Sequence, residues 1–136
     1  MNMEQAVDDI LDLFKAAWDA TGHEVLYEQT RDQRDTSTSP WAVVLVRHED
    51  GFQDTLGGQG NSSFIRLGSI QVDIHIPSAT GLPVGYQLAK VVADAYEGVT
   101  SPNGVWFRRV RVNEMGRDGS FFILKVLANF EYYETK

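Results

Sequence analysis

Apolar residues recur every three to four positions over residues 3–21. Met3, Val7, Ile10, Phe14 and Ala17/Trp18 fall on one side, and Glu4, Asp8, Asp12, Lys15 and Asp19 on the other. This spacing predicts an amphipathic helix. Acids crowd its first half, where the helix dipole favours them, and Gly22 follows as a natural left-handed stop. A short strand is expected at 24–28, then a polar loop at 30–40 with no apolar residue to anchor it. Residues 41–47 are apolar on both faces and read as a central or covered strand. Glu49-Asp50-Gly51 is expected to turn the chain, residues 52–56 to form a short strand, and the glycine-rich stretch 57–63 to be a flexible loop.

The clearest alternation runs over 69–76. Ile70, Val72, Ile74 and Ile76 point one way and Ser69, Gln71, Asp73 and His75 the other, with Pro77 ending the strand. Residues 82–97 predict a second helix with Val84, Leu88, Val91 and Ala95 inward, Pro83 in its first turn, Thr80 as a nearby N-cap and Gly98 as its stop. Residues 105–113 alternate until the middle, where the pattern breaks. A bulge at Arg108 and Arg109 repairs it. Val105, Phe107, Val110 and Val112 then face the core, while Trp106, one or both bulge arginines and Arg111 lie outside. Gly116-Arg117-Asp118-Gly119 predicts a hairpin turn. In the last strand, 121–133, Phe122, Leu124, Val126, Ala128, Phe130 and Tyr132 share a face. The order predicts an α+β fold: an antiparallel or mixed sheet with two helices packed on one face.

The 136 residues suit one domain. Without cysteine, disulfide scaffolds, thiolate metal sites and thiol nucleophiles are excluded. The apolar runs are too short to span a bilayer, and the acidic N-terminus lacks the basic region of a signal peptide. A soluble protein is expected, acting where it is made or in a particle assembled there. The net charge of −7 is uneven: residues 1–54 carry twelve acids and four bases, residues 55–136 seven acids and eight bases. That balance argues against gripping phosphate backbones and leaves room for a local basic patch.

Catalytic patterns are absent. His23-Glu24 is not continued into a second metal-binding histidine, and no GxSxG motif occurs. Asp73 and His75 share a strand face but supply only two candidate ligands, so no metal is expected. Gly57, Gly58 and Gly60 suggest a phosphate loop, yet position 63 is serine, no Walker lysine follows, and the context is strand to strand. No enzymatic activity and no cofactor are expected. The glycine loop, above all 57–62, is expected to be mobile in the isolated subunit and to order against a neighbour. The remaining unusual feature is Arg108, Arg109 and Arg111 beside Trp106, residue types enriched at interface hot spots. Cross-strand ion pairing on an exposed face is one reading of this cluster. The other is a contact surface in which one subunit's basic strand meets another's acidic surface.

Further features extend along nearly the whole chain. Trp41 opens a strand; Arg66-x-Gly68 precedes Ile70-Gln71-Val72-x-Ile74; Pro77 and Gly81 lead into the second helix and Gly98 closes it. The 105–112 strand, the Gly116/Gly119 hairpin and Phe130-x-Tyr132 follow. This layout resembles the tail terminator (tail completion) proteins of long-tailed bacteriophages, especially a prophage-associated group of terminator-like proteins. The resemblance implies a non-catalytic assembly protein that forms a ring, usually hexameric, on the end of a tail tube. Its implied partners are further copies of itself, the major tail tube protein and a head-completion or neck protein, with no membrane and no sequence-specific nucleic acid. Its implied location is the host bacterial cytoplasm during assembly, then the head-proximal end of the tail in the virion. Within this reading Trp106, Arg108, Arg109, Arg111, Gly57, Gly58 and Gly60 are the candidate subunit and tube contacts. A head-closure or connector subunit of the same junction, or a small ligand-binding α+β module, are the alternatives.

Overall fold

Asn2 starts the first helix by accepting a hydrogen bond from the Gln5 backbone N–H (2.9 Å), while the Gln5 side chain accepts from the Asn2 N–H (3.0 Å). This reciprocal box satisfies two otherwise orphaned donors. In this computed structural model, which describes residues 1–27, 39–55, 60 and 62–136 (for Asp118, the backbone only), helix α1 spans Met3–Trp18. A 3-10 turn, Asp19–Thr21, follows and ends at Gly22 in the left-handed region (φ 72°). Strands β1 (Glu24–Tyr27), β2 (Trp41–Gln53) and β3 (Ser63–Pro77), helix α2 (Leu82–Tyr96), and strands β4 (Trp106–Asp118) and β5 (Phe121–Thr135) complete the order. The five strands form one sheet in the order β1-β2-β3-β5-β4. β1 runs parallel to β2 and every other pair is antiparallel, so the sheet is mixed, an α+β fold.

Direct cross-strand pairs share a face, and the register sorts the sheet into two sides. Ala42, Ile74 and Leu124 form one row; Val44, Val72 and Val126 the next; then Val46, Ile70 and Ala128. Of these nine, all but Val46 are buried, and together with Ala6, Ile10, Phe14, Trp18, Leu88, Ala89, Val92 and Tyr96 from the helices they form one core. Both helices therefore lie on this face. The opposite face, which includes Val43, Leu45, Gln71, Asp73, Lys125 and Leu127, is half-buried and carries neither helix.

The predicted inner stripes need correction. Met3 is exposed and Val7 only half-buried, and α1 turns Ala6, Asp9, Ile10, Phe14 and Trp18 inward. In α2, Leu88 is buried as expected, but Val84, Val91 and Ala95 are half-buried, and Gly85, Ala89, Val92 and Tyr96 face the core. Gly85 explains this rotation: a Cβ there would come within 2.9 Å of Ile76 Cγ1 and 3.0 Å of Leu124 Cδ1. The helix is seated so that its smallest side meets the sheet most closely. Tyr96 then donates its hydroxyl to the Ile10 carbonyl (3.0 Å), joining the two helices through a buried bond. Thr80 does not cap α2, which begins after Gly81 without a side-chain cap.

The strands are longer than their sequence patterns suggest. Glu49-Asp50-Gly51 does not turn the chain; β2 passes through with a register shift between His48 and Asp50. Glu49, at that irregularity, accepts from Ser69 Oγ (2.6 Å), and Gly51 leaves room for the Arg66 side chain to cross. Likewise β4 continues to Asp118, so the hairpin turn is at Gly119 and Ser120 rather than over 116–119. A 15-residue strand reaches about 50 Å, whereas a 15-residue helix covers about 22 Å. The sheet therefore overhangs its helices, leaving Val112 exposed on the core side, while Phe52 and Tyr133 are exposed on the open face.

Candidate functional site

The arginine strand is held by a buried carboxylate. Asp9, on the inner side of α1, accepts from Ser101 Oγ (2.6 Å), the Asn103 backbone N–H (3.0 Å) and Asn103 Nδ2 (2.8 Å). Ser101 Oγ in turn accepts from the Val105 N–H (2.9 Å), fixing the turn that feeds β4. Burial alone would raise the Asp9 carboxyl pKa, but the bonds from Ser101 and Asn103 outweigh it and hold the value below the ordinary 3.8. Asp9 thus stays ionised and ties α1 to the start of β4. The sequence carried a signal for it: position 9 lies on the stripe of Ala6, Ile10 and Phe14, where a carboxylate requires donors.

β4 then carries the predicted bulge. Phe107 pairs with Phe130 on the core face and Arg108 with Asn129 on the open face; the register shifts between Arg108 and Arg111, and pairing resumes with Arg111 opposite Leu127. Arg109 absorbs the extra residue in the left-handed region (φ 51°), a conformation uncommon for a residue with a Cβ. Val110 packs against the core as expected. Val112 keeps the core-side register opposite Val126 but is 40% exposed, because it lies where the helices no longer cover the sheet.

Trp106, Arg108 and Arg111 all point to the open face. Trp106 is half-buried and packs on Tyr133 with ring centroids 5.3 Å apart. Arg108 is exposed and pairs with Glu131 at 3.4 Å. Arg111 is half-buried and donates to Asn129 Oδ1 (3.1 Å) and the Arg109 carbonyl (3.0 Å). Arg109 itself is exposed. Arg108 thus makes the cross-strand ion pair that one reading of the cluster expected, and Arg108 and Arg111 stand on the face that carries no helix. β4 is also an edge strand, with a second register shift between Glu114 and Gly116. Two irregularities in thirteen residues blunt that edge against strand addition. The aromatic neighbour Tyr133 and the acidic neighbour Glu131 come from β5, and periodicity alone did not identify them.

Of the glycine candidates, one lies within the described residues. Gly60 is exposed in a left-handed turn (φ 89°), while Gly57 and Gly58 lie outside the described residues, as does most of the loop expected to be mobile. Ser62, at its far end, is buried, and its N–H and carbonyl both pair with Lys136 at 2.9 Å.

Asp73 and His75, the pair considered for a metal, both have structural neighbours. His75 stacks on Trp41 (4.0 Å between centroids, 6° between planes), with Phe121 edge-on to both rings, and Asp73 accepts from the Gln71 amide. Among the described residues, no three histidine or acidic side chains come together as a metal site. Beneath the α1 N-terminus, His48 Nε2 and Tyr132 Oη are 2.7 Å apart, and Arg66 holds Glu134 at 3.0 Å. Burial and the Arg66 charge push the His48 pKa down, favouring the neutral ring. Among the described residues, no helix is long and apolar enough to cross a membrane.

No family model and no curated protein matches the chain. Its fold is shared with solved structures. A chain from the virion of a native gene transfer agent particle is 15% identical, with a TM-score of 0.59 and 93% of each chain covered. A second solved structure, which carries no functional name, is 13% identical with a TM-score of 0.59, covering 89% of this chain and 94% of its own.

Proposed function

We propose that this protein is a non-catalytic structural subunit of a tailed, phage-like particle, acting as the tail terminator: a ring of copies that caps the tail tube and presents the tail side of the head–tail junction. The observation that carries the reading is the near end-to-end fold match to a chain of a gene transfer agent virion. The bulged, arginine-bearing face supports it by offering a surface suited to protein contact. An acidic chain with net charge −7 would also line a DNA passage without holding the duplex. A domain of this length has a radius of gyration of about 14 Å, so a channel wide enough for DNA requires several copies.

The reading makes a direct demand on particle assembly. Particles produced without this chain are expected to show unjoined tails whose tubes lack a defined end, and purified protein should bind one end of isolated tubes under the electron microscope. Binding to filled heads but not to tubes would instead assign the chain to the head-closure side of the junction. Normal, joined tails in its absence would overturn both assignments.

A further inference from the structure

α1 carries an uncompensated row of carboxylates. Glu4, Asp8 and Asp12 lie four residues apart on its exposed side, and like charges at this spacing repel. Among the described residues none of the three has an ion-pair partner. Lys15, next along the same side, is drawn over the Tyr27 ring instead (5.6 Å). The open sheet face has the opposite surplus: Arg108 shares Glu131, while Arg111, and the exposed bulge residue Arg109 between them in sequence, have no carboxylate partner among the described residues. The two rows match in length. Glu4 to Asp12 rises about 12 Å along a helix, and Arg108 to Arg111 spans about 10 Å along a strand. They sit in different layers of the same subunit, α1 over the covered face and the arginines on the uncovered one, and so cannot satisfy each other within one chain.

Resting on the ring reading above, we infer that the occupant of the arginine face is a second copy of this chain, docked through the Glu4–Asp8–Asp12 side of its α1. The contact is heterologous: each subunit offers its helix to one neighbour and its arginine strand to the other. This arrangement closes into a ring when the rotation between copies permits. Trp106 and Tyr133 supply aromatic area beside the charges, where such residues act as interface anchors. The blunted β4 edge favours this face-on contact over extension of the sheet from subunit to subunit.

The test uses two charge-reversed proteins, Asp8→Lys/Asp12→Lys and Arg108→Glu/Arg109→Glu, each checked for an unchanged circular dichroism spectrum. Light scattering over a concentration series should show the wild type associating, more weakly as salt rises. Each variant alone should associate at least about tenfold more weakly, the scale expected from losing close interfacial charge pairs. An equimolar mixture should regain association, because reversed helix then meets reversed strand and native helix meets native strand. Association of either variant at wild-type strength, or a mixture no better than its components, overturns this docking mode while the ring reading stands. A wild type that stays monomeric at every concentration and does not bind tubes overturns both.

Discussion

Two faces of one sheet are built from the same strands under different constraints. Along β5, Leu124, Val126, Ala128, Phe130 and Tyr132 are buried beneath the helices, while Leu127, Asn129, Glu131 and Tyr133 alternate with them on the open side. Beneath the body of the helices the covered side is apolar, with His48, Arg66 and Glu134 confined to its end near the α1 N-terminus. At Gly68, a Cβ would overlap the Arg47 carbonyl and the Phe130 ring. The open side mixes aromatic, amide and charged groups, and its hydrogen bonds and ion pair are local: Arg111 to Asn129 and Arg108 to Glu131. Burial dictates residue type on the first face, and on the second it does not. The arginine cluster is thus not fixed by the packing of the core.

Paired substitutions on the two faces should expose this contrast. Phe130→Ala removes a fully buried ring and is expected to destabilise the fold by about 3–5 kcal/mol. Tyr133→Ala, three residues along the same strand and 45% exposed, should cost no more than about 1.5 kcal/mol, the value of its contact with Trp106. Chemical denaturation of both variants measures the difference, and equal losses would show that the open face is a second core.

Asp9→Ala comes next in size. It strands the donors of Ser101 and Asn103 and is expected to cost about 3 kcal/mol. For a chain of this length that corresponds to a fall of roughly 10 °C in the thermal midpoint. The same group sets an acid limb. Its folded pKa lies below the unfolded value of 3.8, so its stabilisation is complete well above pH 3.8 and is lost as pH falls through the folded value. Stability measured against pH should therefore fall at the acid end in the wild type and flatten there in Asp9→Asn. An identical acid slope in the two proteins would exclude Asp9 as its source.

The smallest effect on folding is expected where the effect on assembly is largest. Arg108→Glu/Arg109→Glu should shift stability by no more than about 1 kcal/mol, since the one ion pair involved is exposed on the arginine side. The same variant should fail to complete tails. A large loss of folded stability instead would make these arginines structural.

Local pattern was enough for much of this fold. The period-two runs of β3 and β5, the existence of α1 with Ile10, Phe14 and Trp18 inward, and the broken alternation that marks the Arg109 bulge were all legible, because each depends on neighbours within a few residues. The face on which Trp106, Arg108 and Arg111 stand followed from that bulge alone. What the chain could not reveal by itself depended on partners distant in sequence. The rotation of α2 was decided by Gly85 meeting Ile76 and Leu124, and the unbroken path of β2 through Glu49 by its pairing with β3. The role of Asp9 was decided by donors more than ninety residues away. Periodicity states that a residue alternates; only the packing of one element against another determines which side is buried, which carboxylate finds donors, and which face the helices leave uncovered.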